Sequence, residues 1–173
     1  GQGGNGHSYC HFELHRYNPP PFCLHDIDER TPLGRAITIH IEELLEILKK
    51  TLEDRRKNNI EGRYVVAIDG NCGSGKTTGV RMIANALGCE IIQMDDFYLT
   101  PSMRTEERRN EPGGNVDYLR FAKEVLPYVK GKSPFKYGKY QVETDSIIDE
   151  IEIKNPEIVL IEGAYSMRPE FRE

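Results

Sequence analysis

Apolar residues recur at helical spacing between Ile41 and Lys57. Ile41, Leu44, Leu45, Leu48 and Leu52 share one stripe, and Glu42, Glu43, Glu46, Lys49, Lys50 and Glu53 fall mostly opposite. This predicts an amphipathic helix, packed on a core or serving as a dimer contact, and ended by Asn58-Asn59 and Gly62. At Tyr64 the period changes. Tyr64–Ile68 is a continuous apolar run rich in β-branched residues, the pattern of a strand covered on both faces. Val80, Ile83, Ala84 and Leu87 then mark a helix over Lys76–Leu87 with Gly88 as its stop. Cys89–Met94 reads as a second buried strand and Glu157–Ile161 as a third. The strand–helix–strand order predicts a parallel sheet with a right-handed crossover.

Elsewhere the pattern loosens. Residues 1–35 read as irregular, Gly-rich at first and then interrupted by Pro19-Pro20-Pro21, which fits neither a helix interior nor a central strand. Pro101–Asn110 is polar and rich in Arg and Glu, and Pro112-Gly113-Gly114 is a turn. Val116–Lys130 reads as one helix with Leu119, Phe121, Ala122, Val125 and Leu126 as its apolar positions. Gly131–Glu152 places Tyr137, Tyr140, Val142 and the run Ile147–Ile153 around turn residues, which predicts a hairpin projecting from the core.

Composition narrows the function classes. The 173 residues suffice for one domain with a proper core. A net charge of −5 removes support for a nucleic-acid binder that works through bulk charge. No apolar run approaches the roughly 20 residues of a membrane span. The polar start Gly1–Gly6 predicts no signal peptide, and a first residue other than Met predicts a trimmed or tagged start. Cys10, Cys23, Cys72 and Cys89 do not read as a disulfide framework, so the expected setting is reducing and cytoplasmic. His7, His11, His15 and His25 surround Cys10 and Cys23 but lack metal-finger spacing, and read as a tail rather than a metal site.

The chemistry-bearing segment follows the first strand. Gly70-Asn71-Cys72-Gly73-Ser74-Gly75-Lys76-Thr77, continuing to Thr78, fits G-x-x-x-x-G-K-[ST] at every fixed position. A loop of this length wraps a phosphate with successive backbone N–H groups pointing inward, and its glycines permit close approach. Lys76 would set a point charge on the β- and γ-phosphates, Thr77 would offer its hydroxyl to Mg²⁺, and the following helix would add the positive end of its dipole. Cys72 lies where a thiol pKa tends to fall, yet the loop works there through backbone, so its identity reads as incidental.

Two acidic features accompany the loop. Asp95-Asp96 ends the second strand, and ligands of open parallel sheets bind beyond the carboxyl ends of strands, which predicts that the pair lies beside the loop. A carboxylate there takes a proton from an attacking hydroxyl or holds Mg²⁺ through water; the alternative is a solvated acidic turn or a helix N-cap. Glu162 ends the third strand, where an acid orients the Mg²⁺ shell or a water, or meets only solvent. Arg104, Arg108 and Arg109 follow the acid pair, either to meet an anionic group or to form a solvated helix face with Glu106 and Glu107.

Ala67-Ile68-Asp69-Gly70 through Thr78, Met94-Asp95-Asp96-Phe97-Tyr98, Glu111-Pro112-Gly113-Gly114-Asn115-Val116-Asp117-Tyr118 and Val159-Leu160-Ile161-Glu162-Gly163 occur in an order and spacing that resemble the uridine kinase-like branch of P-loop kinases. That branch also takes in phosphoribulokinase and bacterial-type pantothenate kinase. The resemblance covers about residues 64–170. It implies an α/β P-loop NTPase fold with a central parallel sheet flanked by helices. It implies ATP and Mg²⁺ as cofactors, with Asp95 as the base on an acceptor hydroxyl and Glu162 and Thr77 in the Mg²⁺ environment. The acceptor would be a small molecule, a nucleoside or related metabolite, covered by a hairpin over Phe135–Ile153; Asp96, Tyr98, Arg104, Tyr137 and Tyr140 are the candidate acceptor contacts. Tyr137 or Tyr140 would stack on a ring, or else pack. The hairpin lacks the His and Arg of uridine kinases, which leaves pyrimidine specificity without support. The family continues past the third strand with an Arg-rich lid and further strands, which the sequence up to Glu173 does not contain.

The expected organisation is an irregular segment over 1–40, an amphipathic helix over 41–60 and a P-loop kinase domain over 61–173 that is incomplete at its C-terminal end. The expected activity is phosphoryl transfer to a small-molecule hydroxyl. The competing readings are a nucleotide-binding regulatory module and an ATPase with water as acceptor.

Overall fold

The computed structural model describes residues 41–69, 77–164, 166 and 171 in full, and residues 13–16 and 76 through their backbone. The Gly-rich start, the His/Cys cluster except for the backbone of His15, and the loop from Gly70 to Gly75 lie outside the described residues.

Strand β1 (Glu13–Arg16) runs antiparallel to β2 (Tyr64–Asp69), with Glu13 opposite Asp69. This strand lies in a segment that the sequence pattern reads as irregular. Four residues are too few to show a period, and their partner is about fifty positions away. Helix α1 (Ile41–Lys57) turns Leu44, Leu48 and Leu52 into the core, one residue per turn along a single face. Helix α2 (Lys76–Leu87) follows β2, and β3 (Ile91–Gln93) follows α2. A 3-10 turn over Met94–Phe97 carries the acid pair, and a second, over Pro101–Met103, leads into the short helix α3 (Glu106–Asn110).

The helix expected over Val116–Lys130 is split into α4 (Tyr118–Glu124) and α5 (Leu126–Val129). Asp117 caps α4 by accepting from the Arg120 amide at 3.0 Å, so the helix starts after it. Pro127 has no N–H to continue the ladder and sits in the first turn of α5. Phe121, Val125 and Leu126 pack inward as expected, but Leu119, also expected inside, is 81% exposed. Strands β4 (Phe135–Gln141) and β5 (Ser146–Ile153) form the expected hairpin as a separate two-stranded sheet, and β6 (Ile158–Glu162) returns to the main sheet.

The main sheet has the order β1-β2-β6-β3, with β2, β6 and β3 parallel. The expected parallel core is present, with an antiparallel edge added by β1. Its β2 and β3 do not touch; β6 lies between them. Alternate residues of β2 and β6 face opposite sides. Tyr64, Val66, Ile68, Ile158 and Leu160 pack with α1 and with Val80, Ile83 and Ala84 of α2. Val65, Val159 and Ile161 pack with Phe97, Val116, Phe121, Val125, Val129, Phe135, Tyr137, Ile153 and Phe171. Both faces are covered, which is why these strands read as unbroken apolar runs. Arg63, only 3% exposed, donates to the carbonyls of Asn155, Tyr128, Val129 and Ser133 at 2.6–3.2 Å and joins the foot of β2 to the end of α5 and the two segments that flank the hairpin. Among the described residues no helix is long and apolar enough to cross a membrane.

Candidate active site

Three strands deliver their carboxyl ends to one edge. In the sheet register Ile68 lies opposite Glu162, and Glu162 opposite Gln93. Asp69, Glu162 and the Met94–Phe97 turn therefore share the edge where an open parallel sheet binds ligands. Adjacent strands lie about 4.8 Å apart, so β2 and β3, with β6 between them, stand roughly 10 Å apart. The acid pair is thus separated from the end of β2 by the width of β6, and Glu162 takes the nearer place.

On the β2 side, six residues outside the described set connect Asp69 to the start of α2 at Lys76. Helix α2 packs against β6, β2 and β3. The Thr77 hydroxyl donates to Glu162 Oε1 at 3.3 Å, which brings the first turn of α2 to the end of β6. Glu162 is 6% exposed. Two oxygen groups so placed at a helix N-terminus are the hard donors that Mg²⁺ takes, and the free N–H groups of such a terminus favour phosphate. Thr78 is exposed on the same turn. Close packing fixes the end of β6: Gly163 has φ +140°, and a Cβ there would stand 2.7 Å from Met94 Cβ.

On the β3 side, the two acids differ sharply. Asp95 is exposed, and its Oδ1 accepts from the Tyr98 hydroxyl at 2.8 Å. Asp96 is 6% exposed, and its Oδ2 accepts from the Tyr137 hydroxyl at 2.8 Å. Burial pushes the Asp96 carboxyl above the usual carboxylate range, against the Tyr137 hydrogen bond and the charge of Lys139, which pull it down. Burial likewise raises the Tyr137 phenol, helped by the Asp96 charge.

The other named residues also fall into place. The Tyr137 ring is 2% exposed and stacks on Phe97 with centroids 5.0 Å apart, so neither face is open to a ligand ring. Tyr140 is 4% exposed, meets Tyr98 edge-on at 6.0 Å and bonds to Asp145 and Arg104. Arg104 also donates to the Leu99 carbonyl at 3.0 Å and to Asp145 Oδ1 at 2.8 Å, which fastens the hairpin tip to the loop after the acid turn. Arg108 donates to Glu111 at 2.7 Å and to the Val116 carbonyl at 2.8 Å. Cys89 is a free thiol whose pKa burial pushes up to about 12, which leaves it protonated at neutral pH.

Sequence reasoning missed Arg120, Asp145 and the Asp96–Tyr137 pair. The Arg120 side chain is 9% exposed and donates to the backbone of both the acid turn and the hairpin. The available signal was the Asp117–Arg120 spacing of three at a helix start.

No family model matches the sequence. Over 154 residues the chain is 30% identical to the pantothenate kinase of Listeria welshimeri, covering 81% of this chain and 50% of that protein. The pantothenate kinase of Listeria innocua is 29% identical over the same length. The chain thus spans about half the length of the curated relatives it matches. A solved structure described as a possible uridine kinase from Bacillus stearothermophilus superposes with a TM-score of 0.54 at 23% identity, over 73% of this chain and 76% of that one. A candidate fructose transport system kinase from Silicibacter sp. TM1040 gives 0.60 at 24% identity, over 78% and 68%. At these identities the two structures speak to the fold, which is that of P-loop kinases.

Proposed function

We propose that this chain is a uridine kinase-like P-loop kinase and transfers the γ-phosphoryl group of ATP to a hydroxyl of a small molecule. The observation that carries this reading is the shared edge. The Thr77–Glu162 contact lies at the end of the middle strand, and the solvent-facing Asp95 lies at the end of the neighbouring one, on a turn that packs against the hairpin. A nucleotide switch has no need of the second half.

In this reading Gly70–Thr78 cradles the phosphates, and Lys76 balances charge on the β- and γ-groups. Thr77 and Glu162, with Asp95 through water, supply oxygen ligands to Mg²⁺, which when bound neutralises charge on the phosphates. Asp95 accepts the acceptor hydroxyl proton, held by the Tyr98 hydroxyl so that its second oxygen remains for the substrate. The acceptor oxygen bonds to the γ-phosphorus as the bond to the bridging oxygen breaks, and ADP leaves. Positioning and electrostatics supply most of the rate. Tyr98 and Arg104, partly exposed, then face the acceptor side, and Asp96, Tyr137 and Tyr140 pack behind them.

The printed names of the relatives set the acceptor panel: pantothenate, uridine and fructose, with further nucleosides and sugar alcohols. ADP release that rises with one of these acceptors is the expected result. ADP release indifferent to every acceptor favours an ATPase, and ATP binding without ADP release favours a regulatory module.

A further inference from the structure

The turn that carries Asp95 is held by groups that the proposed chemistry does not use. Arg120 reaches from α4 between two segments. Its Nη2 donates to the Asp96 carbonyl at 2.5 Å and its Nη1 to the Gly138 carbonyl of β4 at 2.5 Å. One planar guanidinium thus ties the acid turn to the hairpin. Its carbon stands 4.5 Å over the Phe97 ring, and Glu124 and Asp117 flank it at 3.5 and 4.0 Å. Glu124 completes the loop by accepting from the Gly138 amide at 2.9 Å. Gly138 makes room for the neighbouring strand: a Cβ there would stand 2.6 Å from Ile147 Cγ2, while Arg120 Nη1, at 3.6 Å, would remain in ordinary contact. A second tie runs beside the first, from the Tyr137 hydroxyl to Asp96 Oδ2 at 2.8 Å. Buried charge is a weak way to gain stability, since apolar packing often does as well, whereas a fork of fixed donors sets geometry.

We infer that Arg120 is a positioning residue which, with Tyr137, locks the Asp95 turn and the hairpin into one body, so that the base and the acceptor cover hold a fixed relation. The inference rests on the kinase reading of Asp95. It predicts that breaking the lock misplaces the base without disturbing the nucleotide, and a misplacement of about 1 Å can cost roughly 100-fold in rate.

Two conservative variants test it. Arg120→Lys keeps the charge, but an ammonium cannot present the fork to both carbonyls. Tyr137→Phe keeps the ring stack and removes only the hydroxyl. Nucleotide Kd, kcat, acceptor KM and hydrogen exchange of the Met94–Tyr98 amides are measured at a temperature where the variants are folded by circular dichroism. The expected result is an unchanged nucleotide Kd, a kcat lowered about 10- to 100-fold with a smaller change in KM, and faster exchange confined to Met94–Tyr98 while β2 and β6 keep their protection. Unchanged kcat and unchanged exchange overturn the inference, as does a uniform loss of nucleotide binding, turnover and protection. If Arg120→Lys does not fold, Tyr137→Phe carries the test. If the wild type shows no acceptor-dependent turnover, the kinase reading falls. The exchange measurement then decides the lock by itself: localised loss at Met94–Tyr98 sustains it and unchanged protection overturns it.

Discussion

The two faces of the main sheet are built differently. The face under α1 and α2 is almost wholly aliphatic, with Leu44, Leu48, Leu52, Val66, Ile68, Val80, Ile83 and Leu160 in a regular arrangement. The opposite face packs Phe97, Phe121, Phe135, Tyr137 and Phe171 under short helices, a 3-10 turn and a hairpin. Asp96, Asp117 and the Arg120 guanidinium are buried there too. The regular face presents the start of α2 to the edge where phosphate is expected; the irregular face carries the turn and hairpin of the proposed acceptor side. Phosphate recognition through backbone N–H groups needs only a strand, a loop and a helix. Holding one carboxylate against a variable acceptor takes side chains from several segments, and these bring their polar groups into the interior.

Substitutions that separate the two faces should follow a graded order. Lys76→Ala should have the largest effect on the nucleotide, weakening ATP binding by about 100-fold or more through loss of its charge on the phosphates, and calorimetric titration measures it. Leu48→Ala and Phe121→Ala then compare the cores directly. Both should lower unfolding free energy in urea, by about 2–5 and about 3–5 kcal/mol. Only Phe121→Ala, which also removes the ring edge-on to Phe97 at 5.1 Å, should lower kcat in the protein that remains folded. Asp117→Ala removes the α4 cap and should cost about 1 kcal/mol in the same measurement.

A smaller, pH-dependent effect comes from Asp96. Its folded-state pKa is raised by burial, so between the ordinary value of about 3.9 and the raised value the folded state holds the extra proton. Its contribution to stability therefore falls as pH rises through that window. Asp96→Asn should flatten the decline of Tm with pH there, and an equally steep decline would refute the assignment. Arg56→Ala, at the exposed Arg56–Glu157 pair on the far side of the sheet, should change neither stability nor turnover measurably.

The regular face was legible because its periods are local. The predicted bounds of α1 and α2 coincide with those observed, and the β2 prediction differs only by Asp69. The irregular face was less so. Leu119 looks like a core position and Arg120 like a solvent-facing one, yet Leu119 is 81% exposed and the Arg120 side chain 9%. Phe121 and Val125 are buried as expected, but period alone does not show that the first turn after the Asp117 cap points Leu119 outward and Arg120 inward. The hairpin was visible from its alternation, but not the bond from Tyr137 to Asp96, which joins residues 41 positions apart. The insertion of β6 between β2 and β3 was likewise hidden, because strand order is a long-range property that a strand–helix–strand pattern leaves open.

In the proposed reaction Asp95, at the end of β3, is the base for an acceptor hydroxyl while the end of β6 and the start of α2 serve the nucleotide. That role is tested most directly by Asp95→Asn, assayed for ATP binding and for acceptor-dependent ADP release in the same preparation. The expected result is unchanged ATP affinity and transfer reduced by about 100- to 10,000-fold. Turnover near that of the wild type would contradict it.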